Sequence, residues 1–576
     1  MLRIFKASVF LIAFVPFVFT WPYSPAASWA SETLAFFLAA IVVLSGFVLC
    51  KKDELKIPVV GVLLLGLLVI TLLSIVANRP VYIGSPFFQF SIIFLSTLLV
   101  IVVFNLRGDI DILSLLAFGF CIGSIAQLPV SLLQVFGGIE IYNQWASTMS
   151  ALVPRFSGTR EASGFLLQRN NLADYLFLGG LSFALLAANG KISNKIFGFG
   201  VFVLTANLAL VPSRAIVLYL VFLVGLLLYL KFRKFEGSRS FQKYMLFVVL
   251  AFSIAQVMAP FLPIGSASMI DRVASEATFG VRWIEWQKAI AAFLENPLLG
   301  LGVGGYAHWS FEQSSLHPFV FSGDNPPLFT HSHNVILQLL AELGVFAGLL
   351  GFMIIFNIGK SFVLDSKKNA SVAVFASLGI ILLHSMVEFP LWYFYFFLVF
   401  VTFCGLQDQK SMKLVLSHST LQVFFALIPI IFAIVSIFSL KIYSDLVSAA
   451  WPTKSEAETE GKLLDAVKLR TNLIAAEKAD HILLWRLDYS DRALPFKLHL
   501  SESMMQYRPY QFVVFRRAVY LSYAGRQDDG VKLLRKALTI SPGSRGLFLV
   551  NLAPFQEDKR LRPLIDILIE SEGDEQ

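Results

Sequence analysis

Chemistry-bearing side chains in this sequence sit in a few short polar stretches between long apolar runs. They are Gln168-Arg169-Asn170, Ser213-Arg214, Arg282 beside Trp283 and Trp286, His331-Ser332-His333-Asn334, and the pair His384 and Glu388. An imidazole with an unperturbed pKa near 6.5 can take a proton from a hydroxyl. His333, flanked by Ser332 and Asn334 just before an apolar run, equally fits the cap of a helix. A guanidinium stays charged, is weakly hydrated and grips phosphate oxygens through two parallel hydrogen bonds. His384 and Glu388 are spaced i, i+4, so they share a face if a helix continues through both. Such a pair either orients a bound ligand or satisfies two polar groups structurally near lipid.

Holding these stretches in place falls to membrane helices. Of 576 residues 57% are hydrophobic and only 15% charged, with mean hydropathy +0.72, which leaves a water-soluble globule without enough polar cover. About 13 runs are long enough to cross a bilayer: 7–20, 33–50, 57–77, 87–104, 112–136, 172–188, 196–211, 215–230, 245–261, 335–358, 370–383, 391–406 and 421–440. The first lacks a convincing cleavage site and reads as a retained helix. Alternate connections carry Lys51, Lys52 and Lys56; Arg107; Lys191 and Lys195; Lys231, Arg233, Lys234, Arg239 and Lys243; Lys360, Lys367 and Lys368; Lys410 and Lys413. The positive-inside rule places these in the cytoplasm. The opposite connections carry Arg79, Arg155, Arg160, Arg169, Arg214, Arg272 and Arg282, with Lys288 the lone lysine. An arginine-selected outer face suggests phosphate recognition, although pairing with Glu161, Asp271 or Glu276 is open for each.

The net charge of +8 is dispersed over loops, which argues against nucleic acid. Cys50, Cys121 and Cys404 lie far apart in or beside apolar runs, so neither a disulfide framework nor a metal site is indicated. Gly302, Gly304 and Gly305 lack the strand–helix–strand setting of a dinucleotide fingerprint. Two outer loops, 137–171 and 262–334, are longer than connection requires, and long ordered loops usually carry function. After Leu440 the composition turns charged and amphipathic. The expected fold is therefore all-α: a polytopic membrane bundle over 1–440 and a soluble outer domain over 441–576. From Arg517-Ala518 to Pro542 that domain resembles a tetratricopeptide (TPR-like) helical hairpin, with Gly525 ending one helix and Gly530, Leu534 and Ala537 on the next.

The ordered motifs carry a family resemblance. Arg282-x-x-x-Trp286, then Pro297-x-x-Gly300-x-Gly302, then His333-Asn334 ahead of Gln338, Glu342 and Gly344 resemble the Wzy_C superfamily of O-antigen ligases, O-antigen polymerases and protein O-oligosaccharyltransferases. Gln168-Arg169-Asn170-Asn171-Leu172-Ala173 and His384-Ser385-Met386-Val387-Glu388-Phe389-Pro390-Leu391-Trp392 are similar to signatures of PglL-type protein glycosylation ligases, with Arg169 where that branch commonly has proline.

The resemblance implies transfer of glycan from an undecaprenyl-pyrophosphate-linked oligosaccharide to a Ser or Thr hydroxyl of a periplasmic or pilin-like protein. No metal or other cofactor is called for. His333 would serve the hydroxyl proton, and Arg282 and Arg214 the diphosphate charge. Gln168, Arg169, Asn170, His331, Asn334, His384 and Glu388 would bind or orient substrate. The site and tail would face the periplasm from the inner membrane, with membrane lipids around the spans. The alternatives are an O-antigen ligase acting on lipid A core, an O-antigen polymerase, or a polyprenyl-glycan transporter. The last is disfavoured by the absence of clear internal repeats.

Overall fold

A computed structural model describes residues 1–21, 26–50, 55–149, 161–261, 277–313, 328–365, 368–414, 417–451 and 455–569. Lys51, Lys52, Arg155, Arg160, Asp271, Arg272, Glu276 and Lys367 lie outside them. In chain order the helices are α1 (Leu2–Ile12), α2 (Val15–Val18), α3 (Trp29–Leu49), α4 (Val59–Asn78), α5 (Gly84–Leu106), α6 (Ile112–Val135), α7 (Gly138–Met149), α8 (Arg169–Ala188), α9 (Asn194–Ala209), α10 (Ala215–Phe232) and α11 (Arg239–Met258). They continue with α12 (Ala277–Glu295), α13 (Tyr306–Glu312), α14 (Val335–Asp365), α15 (Asn369–Ser385), α16 (Phe394–Gln407) and α17 (Ser419–Ala450). The tail holds α18 (Glu456–Leu469), α19 (Ala476–Arg486), α20 (Leu494–Tyr507), α21 (Gln511–Tyr523), α22 (Gln527–Ile540), α23 (Arg545–Leu552) and α24 (Arg562–Ile569). Two three-residue strands, β1 (Lys56–Pro58) and β2 (Ser411–Lys413), pair antiparallel.

Among the described residues nine helices are long and apolar enough to cross a membrane. Backbone groups in lipid must be satisfied within the segment, and a helix does this without a partner. The shorter apolar α9, α15 and α16 pack among them, and the first apolar run divides into α1 and α2. The protein is an all-α polytopic membrane protein. The helix expected to end at 440 runs on to Ala450.

The ends of the bundle are distinguished by the α8–α15 pair, whose helices run antiparallel. At one end Asn369 donates to Asn189 (3.1 Å); at the other Asn170 donates to Glu388 (3.1 Å). The lysine-bearing loops gather at the first end. There Lys191 meets Asp111 (2.5 Å), Arg107 donates to the carbonyls of Gly405 and Leu406 (both 3.1 Å), and Lys56 lies opposite Lys413 across the strand pair. The polar stretches singled out in the sequence gather at the second end.

A backbone wedge organises that second end. Helix α14 is broken at Gly344 (φ +78°, ψ −171°), and the turn after α12 is pressed into the break. Val345 N–H donates to Pro297 C=O (2.8 Å), Leu301 N–H to Ala341 C=O (2.9 Å) and Gly302 N–H to Glu342 C=O (3.0 Å). A Cβ on Gly344 would lie 2.2 Å from the Leu298 carbonyl oxygen, and one on Gly300 would lie 2.3 Å from the Glu342 carbonyl carbon. Only glycine allows this approach. The Glu342 carboxylate, buried, accepts the Gly304 N–H (3.0 Å) and so fixes the start of α13.

The tail has its own apolar core and rests on the second end. Phe311 of α13 and Tyr82 of the α4–α5 turn are buried in that core. Tyr82 donates to Asp480 (2.7 Å), His308 Nδ1 meets the Met505 carbonyl (3.0 Å), and Lys536 pairs with Glu312 (2.7 Å). Within the tail α21 and α22 form a hairpin whose turn carries Gly525 at φ +77°. At Gly530 a Cβ would stand 2.7 Å from the Ala518 carbonyl oxygen, so glycine lets α21 and α22 approach closely there.

Candidate functional site

His331 to Asn334 form the turn that enters α14. Asn334 caps the helix, its Oδ1 accepting the N–H groups of Ile336 and Leu337 (both 3.1 Å), while its amide donates to the Met386 carbonyl (3.3 Å). Gln338 Oε1 accepts the Ser332 N–H (2.7 Å). With its neighbours tied, His333 takes a left-handed backbone (φ +55°), uncommon for a residue with a side chain and typical of positions over-determined by their surroundings. The cap thus belongs to Asn334, which leaves the His333 ring for other work.

Glu388 is the hub of the site. Helix α15 ends at Ser385, and Glu388 lies in the following turn, held by its N–H to the His384 carbonyl (2.8 Å). Its Oε1 pairs with Arg282 of α12 and accepts from Asn170 (3.1 Å), while Oε2 faces His333 Nε2 at 3.7 Å. Asn170 in turn accepts from Ser213 Oγ (2.7 Å), which places the half-buried Arg214 one residue from the network. The Arg282, Glu388 and His333 side chains are 21%, 10% and 14% exposed, mostly dehydrated yet within reach from outside. Burial holds the His333 imidazole below its ordinary 6.5; Arg282 pushes the same way and Glu388 pulls back.

His331 is locked beside it. Its ring stacks on Phe389 (centroids 4.6 Å, 7°) and meets Trp392 edge-on (4.4 Å), with Nδ1 against Thr330 Oγ1 (2.7 Å). Burial, reinforced by Arg508 of the tail and by His333, drives it well below 6.5, so it stays neutral and Nε2 is buried without a hydrogen-bond partner. His331, His333 and Glu388 line the polar mouth of a cavity of about 150 Å³. Leu64, Ile93, Leu343 and Phe400 line its apolar depth among α4, α5, α14 and α16.

Other sequence candidates stand apart from this cluster. Arg169 pairs locally with Glu161 (2.7 Å), both more than a third exposed, and Gln168 precedes α8 with Oε1 buried and without a hydrogen-bond partner. Lys288 is enclosed against Glu285 (3.0 Å). His384 does not share a face with Glu388: it is fully enclosed and its Nδ1 meets Asp174 Oδ2 (2.7 Å), because the helix stops before Glu388 and the turn swings that carboxylate toward the mouth. Sequence reading passed over Asp174 and Arg508. A carboxylate inside an apolar run was the available signal for the first.

Helices and cluster together define an integral-membrane protein with a histidine–carboxylate–arginine site at one end of its bundle. Comparison with known proteins places it more closely. Residues 199–353 match the family described as O-Antigen ligase, and residues 372–547 match that described as Virulence factor membrane-bound polymerase, C-terminal. The ComP-specific O-oligosaccharyltransferase of Acinetobacter baylyi is 24% identical over 356 residues, 61% of this chain. The chain aligns with 62% of that relative's length. Over these stretches the chain is similar to O-antigen ligases and to a protein O-oligosaccharyltransferase. The first family match takes in Arg214, Arg282 and the His331–Asn334 turn, and the second takes in His384, Glu388 and most of the tail.

Proposed function

We propose that the protein transfers an oligosaccharide from an undecaprenyl-diphosphate carrier to a serine or threonine hydroxyl of a periplasmic protein, a pilin-like one among them. The observation that carries this reading is the Arg282–Glu388–His333 cluster at the mouth of an apolar slot among membrane helices. The slot suits the diphosphate-proximal isoprene end of a polyprenyl chain, the rest lying in lipid, and the diphosphate then lies at the mouth. The acceptor oxygen attacks the anomeric carbon, the bond from that carbon to the diphosphate oxygen breaks, and the hydroxyl proton passes to the neutral His333 imidazole. Arg282, and Arg214 beside Ser213, offset charge gathering on the departing diphosphate. Glu388 faces the imidazole edge and stabilises the imidazolium once formed, the part a carboxylate plays in a triad. The lysine-rich loops at the far end support an inner-membrane orientation with site and tail in the periplasm.

Purified protein, undecaprenyl-diphosphate oligosaccharide and a periplasmic acceptor should yield glycosylated acceptor. A His333→Ala protein with full activity would refute the assigned role. The O-Antigen ligase match over residues 199–353 favours one other acceptor, lipid A core. Glycan on lipopolysaccharide and on no protein, when cells with and without the gene are compared by mass spectrometry, would decide for it.

A further inference from the structure

Two parallel contacts cross from α8 to α15 and the turn beyond it. Asn170 and Asp174 are one helical turn apart on α8, and they meet Glu388 and His384, also four residues apart. The upper contact opens on the site. The lower is sealed: both the Asp174 and His384 side chains are wholly buried, and so is Tyr219, whose hydroxyl lies against Asp174 and whose ring meets His384 edge-on (6.3 Å). A buried carboxylate and imidazole inside membrane helices are costly to keep, so a function is the expectation for them. His384 is also joined to the hub through the backbone, its carbonyl accepting the Glu388 N–H (2.8 Å) and the Val387 N–H (3.0 Å). A rotation or slide of the α15 end would carry Glu388 with it.

We infer that Asp174 and His384 are positioning residues, a buried rung that holds the end of α15 so that the Glu388 carboxylate reaches Arg282 and His333 together. Neither touches substrate; both act through Glu388. The inference rests on the transfer reading above and adds residues to it. Side chains facing His333 are Glu388 and Arg282, with His331 beside it and Arg508 acting on His331 from the tail. A displaced Glu388 withdraws its upward pull on the imidazole, so loss of the rung should shift the acid limb of kcat/KM downward, as loss of the Glu388 charge does. A merely structural rung would lower the yield of folded protein and leave that limb in place.

The test compares wild type, Asp174→Asn, Glu388→Gln and the double variant in full-length detergent-purified protein, scored per folded molecule. The expected result is a fall in kcat of about tenfold for Asp174→Asn with donor KM unchanged, a downward acid limb, and no further loss when Asp174→Asn is added to Glu388→Gln. An unmoved limb, or losses that multiply in the double variant, would overturn the inference. If Asp174→Asn fails to accumulate, His384→Asn, which keeps a donor toward Asp174, carries the same comparison. Wild-type protein unable to transfer glycan would instead sink the transfer reading itself.

Discussion

Replacing Gly344 by alanine tests whether the backbone wedge positions Arg282. The residue holds φ +78°, ψ −171°, a conformation essentially closed to side-chain-bearing residues, at a cost of about 1–3 kcal/mol. The added Cβ would also stand 2.2 Å from the Leu298 oxygen, 2.4 Å from its carbonyl carbon and 2.8 Å from Leu299 N. All three are backbone atoms, so no side-chain rotation relieves the clash. The wedge must back out by about 1 Å, and it is the direct continuation of α12, joined by Asn296 N–H to Ala292 C=O (3.2 Å) and Gly300 N–H to Asn296 C=O (3.0 Å). Arg282 moves with that helix, away from Glu388 on α15. A displacement of that size at reacting groups can cost about a hundredfold in rate. The assay is glycan transfer from lipid-linked donor, scored per folded molecule. Gly359→Ala, on the same helix with open space around it, is the control and should leave the rate near wild type. Activity of Gly344→Ala within about threefold of wild type, or an equal loss in the control, would refute the wedge as the positioning device.

Because burial depresses His333, it is still the neutral base somewhat below pH 6.5, so kcat/KM should hold on the acid side of an ordinary histidine. Glu388→Gln removes an upward pull and should move that limb lower still, which a pH–rate profile reads; an upward move contradicts the assignment. Arg282→Ala should cost about 100- to 1,000-fold in kcat. Arg169→Ala, which breaks only a half-exposed pair with Glu161, should cost about 0–1 kcal/mol of stability and little activity, so equal losses in the two would undo the separation made between them. Tyr82→Phe removes a 2.7 Å hydrogen bond to Asp480, a carboxylate that keeps Arg470 as partner. It should loosen the tail by about 1.5 kcal/mol, seen as faster limited proteolysis of residues beyond 450 with the transmembrane part intact.

What could be read from the sequence was whatever a single segment decides alone. Apolar run length points to the membrane helices because a lipid-embedded helix satisfies its own backbone. The chemistry-bearing stretches are legible for the same reason, as polar interruptions of those runs. What two segments decide between them was hidden. Gly344 stands in the motif set, but the reason it must be glycine is hidden until the Leu298 carbonyl is beside it. Asp174 lies in a run counted as apolar and His384 just past one counted to 383, and neither shows its partner until α8 and α15 pack together. The arginines make the point most sharply, since residue type cannot rank them. Arg169 finds its carboxylate eight residues away on one half-exposed loop; Arg282 finds its own 106 residues away, enclosed beside an imidazole at the mouth of an apolar slot. A pair closed within one loop steadies that loop and leaves its charge with water. A pair closed across the fold brings a cation, a carboxylate and an imidazole into one poorly hydrated place, where charges act on one another more strongly than they would in solvent.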